Sequence, residues 1–228
     1  MAQNIYWVGG SKGGVGKSLM AMATIDYLQQ ERGVSVFLIE ADTSNPDVWK
    51  SYKDQVESEL VNLDEADGWI QLVNLCNTRQ DSVMVINTAA RNNKSVSAYG
   101  LTLNNTLEEL KRKLVTFWLI NRQRDSLELL KEYTDAIQKA VVHVVRNGYF
   151  GQEGKFELYN GSKIRSNIEE QGGLSVTFPD LADRVSDDLY SKRMSIAVAA
   201  KELPIGNRAE LLRWRYEVKQ ILEKIIDE

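Results

Sequence analysis

Residues 8–20, VGGSKGGVGKSLM, bring five glycines, two lysines and two serines into one short stretch. Glycines let backbone N–H groups approach phosphate oxygens, a lysine supplies a point charge, and a hydroxyl next to it can join the shell of Mg2+. Gly13, Gly14, Val15 and Gly16 would form the cradle, with the Lys17 ammonium at the β/γ-phosphates of ATP and the Ser18 hydroxyl as a Mg2+ ligand. The ordinary phosphate loop begins with a glycine where this chain has Ser11, and it has no place for Lys12. The bland alternative is a glycine-rich turn with two solvated lysines.

Phosphoryl transfer also needs carboxylates to hold Mg2+ and to orient the attacking water, and these sit at C-terminal strand ends beside the loop. Asp42 in LIEADTSNPDVW follows an apolar run and suits that place, although an aspartate ending a strand is also an ordinary turn residue. Other chemistries are closed off. His143 is the only histidine and lies inside AVVHVV, which leaves no histidine metal site or Ser/His/Asp triad. Cys76 is the only cysteine, so it forms no intramolecular disulfide, and its apolar surroundings make it a core thiol. The net charge of −4 argues against a uniformly basic nucleic-acid binder while leaving room for a local patch. No stretch reaches transmembrane length and the start lacks a signal-peptide pattern, so a cytoplasmic location is expected.

The elements that must position these groups alternate between short β-rich runs and helical patterns. Strands are predicted at 4–10, 34–41, 81–88, 115–122, 140–147 and 174–179. Helices are predicted at 17–31, from Asp64 onward, and at 105–112, 125–138 and 161–170, while 147–160 reads as an ordered loop or short insertion. Leu211, Trp214, Val218, Ile221 and Ile225 give the last helix one apolar stripe that should dock on the core. The alternation implies a doubly wound, mostly parallel α/β sheet with helices on both faces, in one domain over residues 1–228.

Lys12, Gly13, Gly14, Gly16, Lys17 and Ser18 write the variant KGGxGK[ST], and with it the chain resembles the ParA/MinD ATPases, whose Walker A motif is deviant. The resemblance implies that Lys12 reaches across an ATP-sandwich homodimer to the partner's phosphates, so that hydrolysis requires assembly. It places Glu40 and Asp42 at the family's DxD, with Glu for the first aspartate and Asp42 as the residue that positions water; residues 43–49 become a first switch. At the end of the third strand the family's magnesium-holding aspartate is replaced by Asn87, which brings no charge to the metal. Asn147 and Pro179 match segments that line the adenine pocket, with turn chemistry as their alternative, and Arg91 is read as a solvated loop arginine, the alternative being that it faces the phosphates or a partner.

Several functions remain within that family. A single cysteine removes the iron–sulfur carriers, and the acidic ending Ile225–Glu228 disfavours a MinD-like membrane helix. Arg208, Arg213, Arg215 and Lys219 on the last helix could contact DNA nonspecifically, or could simply form a solvated face. The overall run of the chain looks most like accessory ATPases of conjugative plasmids, the StbB and VirC1-like group. The expected function is an ATP-driven dimerisation switch with slow Mg2+-dependent hydrolysis, acting in plasmid partition, positioning or conjugative transfer through a DNA-binding plasmid partner. The alternatives are a nucleotide-binding adaptor with little turnover because of Asn87, a MinD-like membrane-positioning ATPase, and a dethiobiotin-synthetase-like ligase that gives Lys12 no task.

Overall fold

A computed structural model describes residues 4–10 and 13–227. Ser11 and Lys12 lie outside the described residues, and so does the role expected of Lys12.

The chain runs β1 (Ile5–Gly10), α1 (Lys17–Gln30), β2 (Val36–Glu40), α2 (Asp47–Tyr52), β3 (Glu57–Leu60), α3 (Ala66–Thr78) and β4 (Val83–Asn87). It continues with α4 (Asn93–Leu110), β5 (Leu114–Ile120), α5 (Asp125–Ala136), β6 (Val141–Asn147), α6 (Glu157–Asn160), α7 (Lys163–Glu170) and β7 (Ser175–Phe178). Three helices close it: α8 (Asp183–Ser191), α9 (Ile196–Glu202) and α10 (Ile205–Ile226). The strands form one seven-stranded sheet in the order β3-β2-β4-β1-β5-β6-β7, and every recorded pairing is parallel. This is the doubly wound sheet expected from the alternation of strand and helix signals.

Side chains alternate across the sheet because successive Cβ atoms point to opposite faces. Tyr6 and Val8 of β1 join the core built with α1, α8, α9 and α10, whereas Ile5 and Trp7 join the core built with α3, α4 and α5. Both faces are covered, which is why the strands read as continuous apolar runs. The apolar stripe of α10 docks as expected: Leu211, Trp214, Val218, Leu222 and Ile225 are buried, with Leu222 taking the place expected of Ile221.

Several elements differ from the sequence expectation. The helix expected at 105–112 spans Asn93–Leu110, and it buries Val96, Gly100, Leu103, Leu107 and Leu110 in one stripe. Its first half, rich in serine and asparagine, has weak helix propensity, so packing against α3 and α5 holds the helix there. Strand β3 was not anticipated because ESEL is a mostly exposed sheet edge without apolar alternation. The segment 147–160 is made of 3-10 turns and α6, anchored by buried Phe156 and Tyr159. Arg146 pins it by donating to Glu153 at 2.7 Å and to Asn160 at 3.1 Å.

Candidate functional site

Strand β1 lies between β4 and β5, and the chain leaves it toward β2 on one side before crossing to β5 on the other. Open α/β sheets bind ligands outside the C-terminal strand ends at such a reversal. A cavity of about 420 Å3 opens there, lined by Gly13, Gly14, Gly16, Lys17, Ser18 and Asp42. Thr88 and Ala90 from the loop after β4, Ser186 and Tyr190 from α8, and Leu19, Asn45 and Asp47 complete its wall. Six of the residues expected from the sequence are thus brought around one space. The α8 contribution carried no sequence signal, because a serine and a tyrosine so far along the chain mark nothing until the fold places them.

The phosphate-loop segment is shaped by its backbone and braced from below. Gly16 has φ 101°, in the left-handed region, and a Cβ there would come within 2.6 Å of Asn147 Nδ2. Only glycine fits both conditions. Asn147 sits at the end of β6, donates through Nδ2 to the Val15 carbonyl at 2.9 Å, and accepts at Oδ1 from the Tyr149 N–H at 3.0 Å. Asn147 is therefore a brace beneath the loop and is not among the residues lining the cavity. Pro179 does not line it either; the Pro179 carbonyl accepts from Trp214 Nε1 at 2.9 Å, which ties the end of β7 to α10.

Lys17 begins α1 and is only 7% exposed. Burial pushes its ammonium down to about 8, and the nearby Asp42 carboxylate opposes that shift. The N-terminal end of α1 adds positive potential at the same place. A cation held partly out of water beside the first turn of a helix is suited to meet a polyanion such as a nucleotide phosphate.

Asp42 follows β2, and its Oδ1 accepts from the Asn45 N–H at 3.2 Å. Arg91, exposed on the loop after β4, straps this segment to that loop. It donates to Ser44 Oγ at 2.7 Å and Thr43 Oγ1 at 3.0 Å, pairs with Asp64, and lies 3.7 Å from Asp42 Oδ1. The polar run 42–47 is what draws the guanidinium in, a signal that becomes legible only once β2 and β4 are known to be neighbours.

Asn87 ends β4, one residue before the cavity-lining Thr88. It is 1% exposed, and its Nδ2 donates to Glu40 Oε1 at 2.8 Å while its Oδ1 has no hydrogen-bond partner. Glu40 is fully buried at the end of β2; Oε1 also accepts from the Asp42 N–H at 3.0 Å, and Oε2 from the Trp49 N–H at 3.3 Å. Burial raises the Glu40 carboxyl to about 7, against the hydrogen bonds from the Asp42 N–H, Asn87 and the Trp49 N–H. The oxygens of Ser18 and Asp42, which line the cavity, are hard donors of the kind Mg2+ takes, usually few per site with phosphates and waters filling the rest, whereas Asn87 does not line it. Among the described residues no cluster of three or more His, Cys, Asp or Glu stands ready for a metal alone.

Three basic residues of α10 are paired with acids of the same chain. Arg213 binds Glu210 and Glu217, Arg215 binds Asp26, and Lys219 binds Glu31. Arg208 donates to the Lys201 carbonyl. No helix among the described residues is long and apolar enough to cross a membrane.

Residues 6–148 match the family model described as the CobQ/CobB/MinD/ParA nucleotide binding domain. The chain is 76% identical over all 228 residues to Protein MobD of Acidithiobacillus ferrooxidans, covering 100% of both. Among solved structures it resembles the septum site-determining protein MinD complexed with Mg-ADP from Pyrococcus horikoshii OT3, with TM-score 0.54 and 12% identity over 99% of each chain. It also resembles a ParA family ATPase from Chlorobium tepidum TLS, with TM-score 0.51 and 16% identity over 94% of this chain and 98% of that one. At those identities the structural likeness speaks for the fold, and the family rests on the matched sequence. The chain belongs to the ParA/MinD family of nucleotide-binding P-loop proteins.

Proposed function

We propose that the protein is an ATP-driven dimerisation switch that hydrolyses ATP slowly with Mg2+ and serves plasmid positioning, partition or transfer through a DNA-bound partner protein. The observation that carries this reading is the convergence of Gly13, Gly14, Gly16, Lys17, Ser18 and Asp42 on one cavity at the strand reversal. Lys17 would bind the β/γ-phosphates and Ser18 would hold Mg2+, which neutralises developing charge on the phosphates when bound. Asp42 would orient the attacking water. Lys12 would complete the site from a second copy of the chain, acting as a cation supplied by assembly.

Sedimentation and turnover with ATP, with ADP, and after Lys12→Ala test the switch. ATP should favour dimers, and Lys12→Ala should lower turnover on the order of 100-fold while weakening the dimer. An unchanged dimer and unchanged turnover in that variant would remove the trans-acting lysine from the proposal.

A second reading, a nucleotide-binding adaptor with almost no turnover, draws on the neutral Asn87 at the end of β4, whose amide donates to Glu40. Tight ATP binding without measurable phosphate release would select it. The stripe that a MinD-like membrane helix would expose is spent on the core here, and the α10 cations proposed for DNA already hold acidic or carbonyl partners.

A further inference from the structure

Asp64 stands at the entry to α3 without capping it: the cap position falls on Glu65, and no side chain caps the first turn. An aspartate at a helix start commonly accepts from that helix's own N–H groups. Both carboxylate oxygens of Asp64 turn instead to the loop after β4, where Oδ2 pairs with Arg91 Nε and Oδ1 accepts from Asn92 Nδ2 at 2.8 Å.

Those two neighbours lead to different parts of the cavity wall. Arg91 carries the link to Ser44 Oγ at 2.7 Å and Thr43 Oγ1 at 3.0 Å, the two residues between the cavity-lining Asp42 and Asn45. Asn92 is 1% exposed and accepts at Oδ1 from the Ala89 N–H at 2.7 Å, which closes the turn that brings Thr88 and Ala90 to the cavity. Asp64 itself is not among the lining residues. Its backbone is fixed from the side of α3: the Asp64 N–H donates to Asn62 Oδ1 at 3.1 Å, and the fully buried Trp69 donates through Nε1 to the Leu63 carbonyl at 2.9 Å. The carboxylate is thus a fixed point to which two loops from different strands are tied, through hydrogen bonds to a charged group, the stronger kind. Spacing of this sort matters to chemistry, because a displacement of about 1 Å can cost on the order of 100-fold in rate.

We propose that Asp64 is a positioning residue for the cavity: through Arg91 and Asn92 it sets the spacing between the 42–47 segment and the 88–92 turn, so that a shift of either loop is felt by the other. The catalytic half of this rests on the ATP-hydrolysis reading above, whereas the tie between the loops does not.

The test uses the full chain with Asp64→Ala, Arg91→Ala, Arg91→Lys and the double variant of Asp64→Ala with Arg91→Ala. Hydrogen exchange of individual backbone amides is followed without nucleotide, and the ATP dissociation constant and kcat are measured beside it. Asp64→Ala should speed exchange about 10-fold both at Asn45 and Asp47 and at Ala89 and Asn92, whereas Arg91→Ala should do so at Asn45 and Asp47 alone. Arg91→Lys should behave like Arg91→Ala, because one ammonium cannot reproduce the guanidinium's fork across Asp64, Ser44 and Thr43. Asp64→Ala should lower kcat about 10-fold while the ATP dissociation constant stays within about 3-fold, since the phosphate-loop residues Gly13 to Ser18 are untouched. In the double variant the two losses should fall well short of additive. Additive losses overturn the tie, and so does unchanged exchange at Ala89 and Asn92 in Asp64→Ala. A loss of affinity as large as the loss of kcat overturns the positioning role. If the wild-type chain binds or turns over no ATP, the proposed function fails and the catalytic half falls with it, and the nucleotide-free exchange still decides the tie.

Discussion

Lys17 shows what burying a charge costs the protein that carries it. Burial lowers its pKa from 10.5 to about 8, so below pH 8 the folded chain holds a charged amine that the unfolded chain would keep in water. The penalty is full below the folded value and disappears as pH rises toward 10.5, so stability should rise across that window. Lys17→Met keeps the apolar stem and removes the charge. The variant should be about 2 kcal/mol more stable without nucleotide at pH 7, should lose the rise above pH 8, and should lose ATP affinity. Urea unfolding at several pH values, beside ATP titrations, checks all three. Lys17, Ser18 and the glycines were legible in the sequence because their chemistry is local: a run of adjacent residues shapes the loop. Glu40 could be read only as a replaced aspartate, because its meaning depends on Asn87 across the sheet and on Trp49 in α2. The sequence places Asn147 only by resemblance, at the adenine pocket, because its bond to the Val15 carbonyl depends on how β6 passes beneath the loop.

Helix α3 illustrates the same limit for whole elements. Gly68 weakens the helix signal, and the structure explains its presence: a Cβ there would lie 1.8 Å from the Asn62 carbonyl oxygen. Gly68→Ala should therefore destabilise by about 2 kcal/mol or more, despite the gain of roughly 1 kcal/mol that alanine normally brings to a helix interior. Thermal melting reads the sign directly. Between α1 and α10, Asp26 is paired with Arg215 at 2.9 Å. Burial nonetheless raises its carboxyl from 3.8 to about 6, outweighing Arg215. Its contribution to stability is thus full below pH 3.8 and is lost as pH rises through about 6. Asp26→Asn should remove a drop of roughly 2 kcal/mol from the stability profile between pH 4 and 7, measured by urea unfolding. Strong periodic helices and buried strands could be read from the chain to within a few residues. Helix α4 and strand β3 could not be, because packing rather than propensity holds one and the exposed sheet edge hides the other.

At the scale of the molecule, α10 closes the second face of the sheet. Trp214 is fully buried, meets Phe178 edge to face, and donates to the Pro179 carbonyl. Trp214→Ala should cost about 3–5 kcal/mol, and fluorescence and far-UV signals should fall together in one transition if α10 is part of the same cooperative unit. The order of the strands, with β1 between β4 and β5, could be expected from the phosphate loop only by resemblance, since no local pattern states which strands are neighbours. The ion pairs of α10 carry one more consequence, for the ionic-strength response of the surface. Arg213, Arg215 and Lys219 are already neutralised by acids of the same chain. A nucleic acid arriving at this helix would exchange one set of anionic partners for another and release few bound counterions. The logarithm of any such affinity should therefore fall only gently with the logarithm of salt, unlike that of a surface whose cations stand open to solvent.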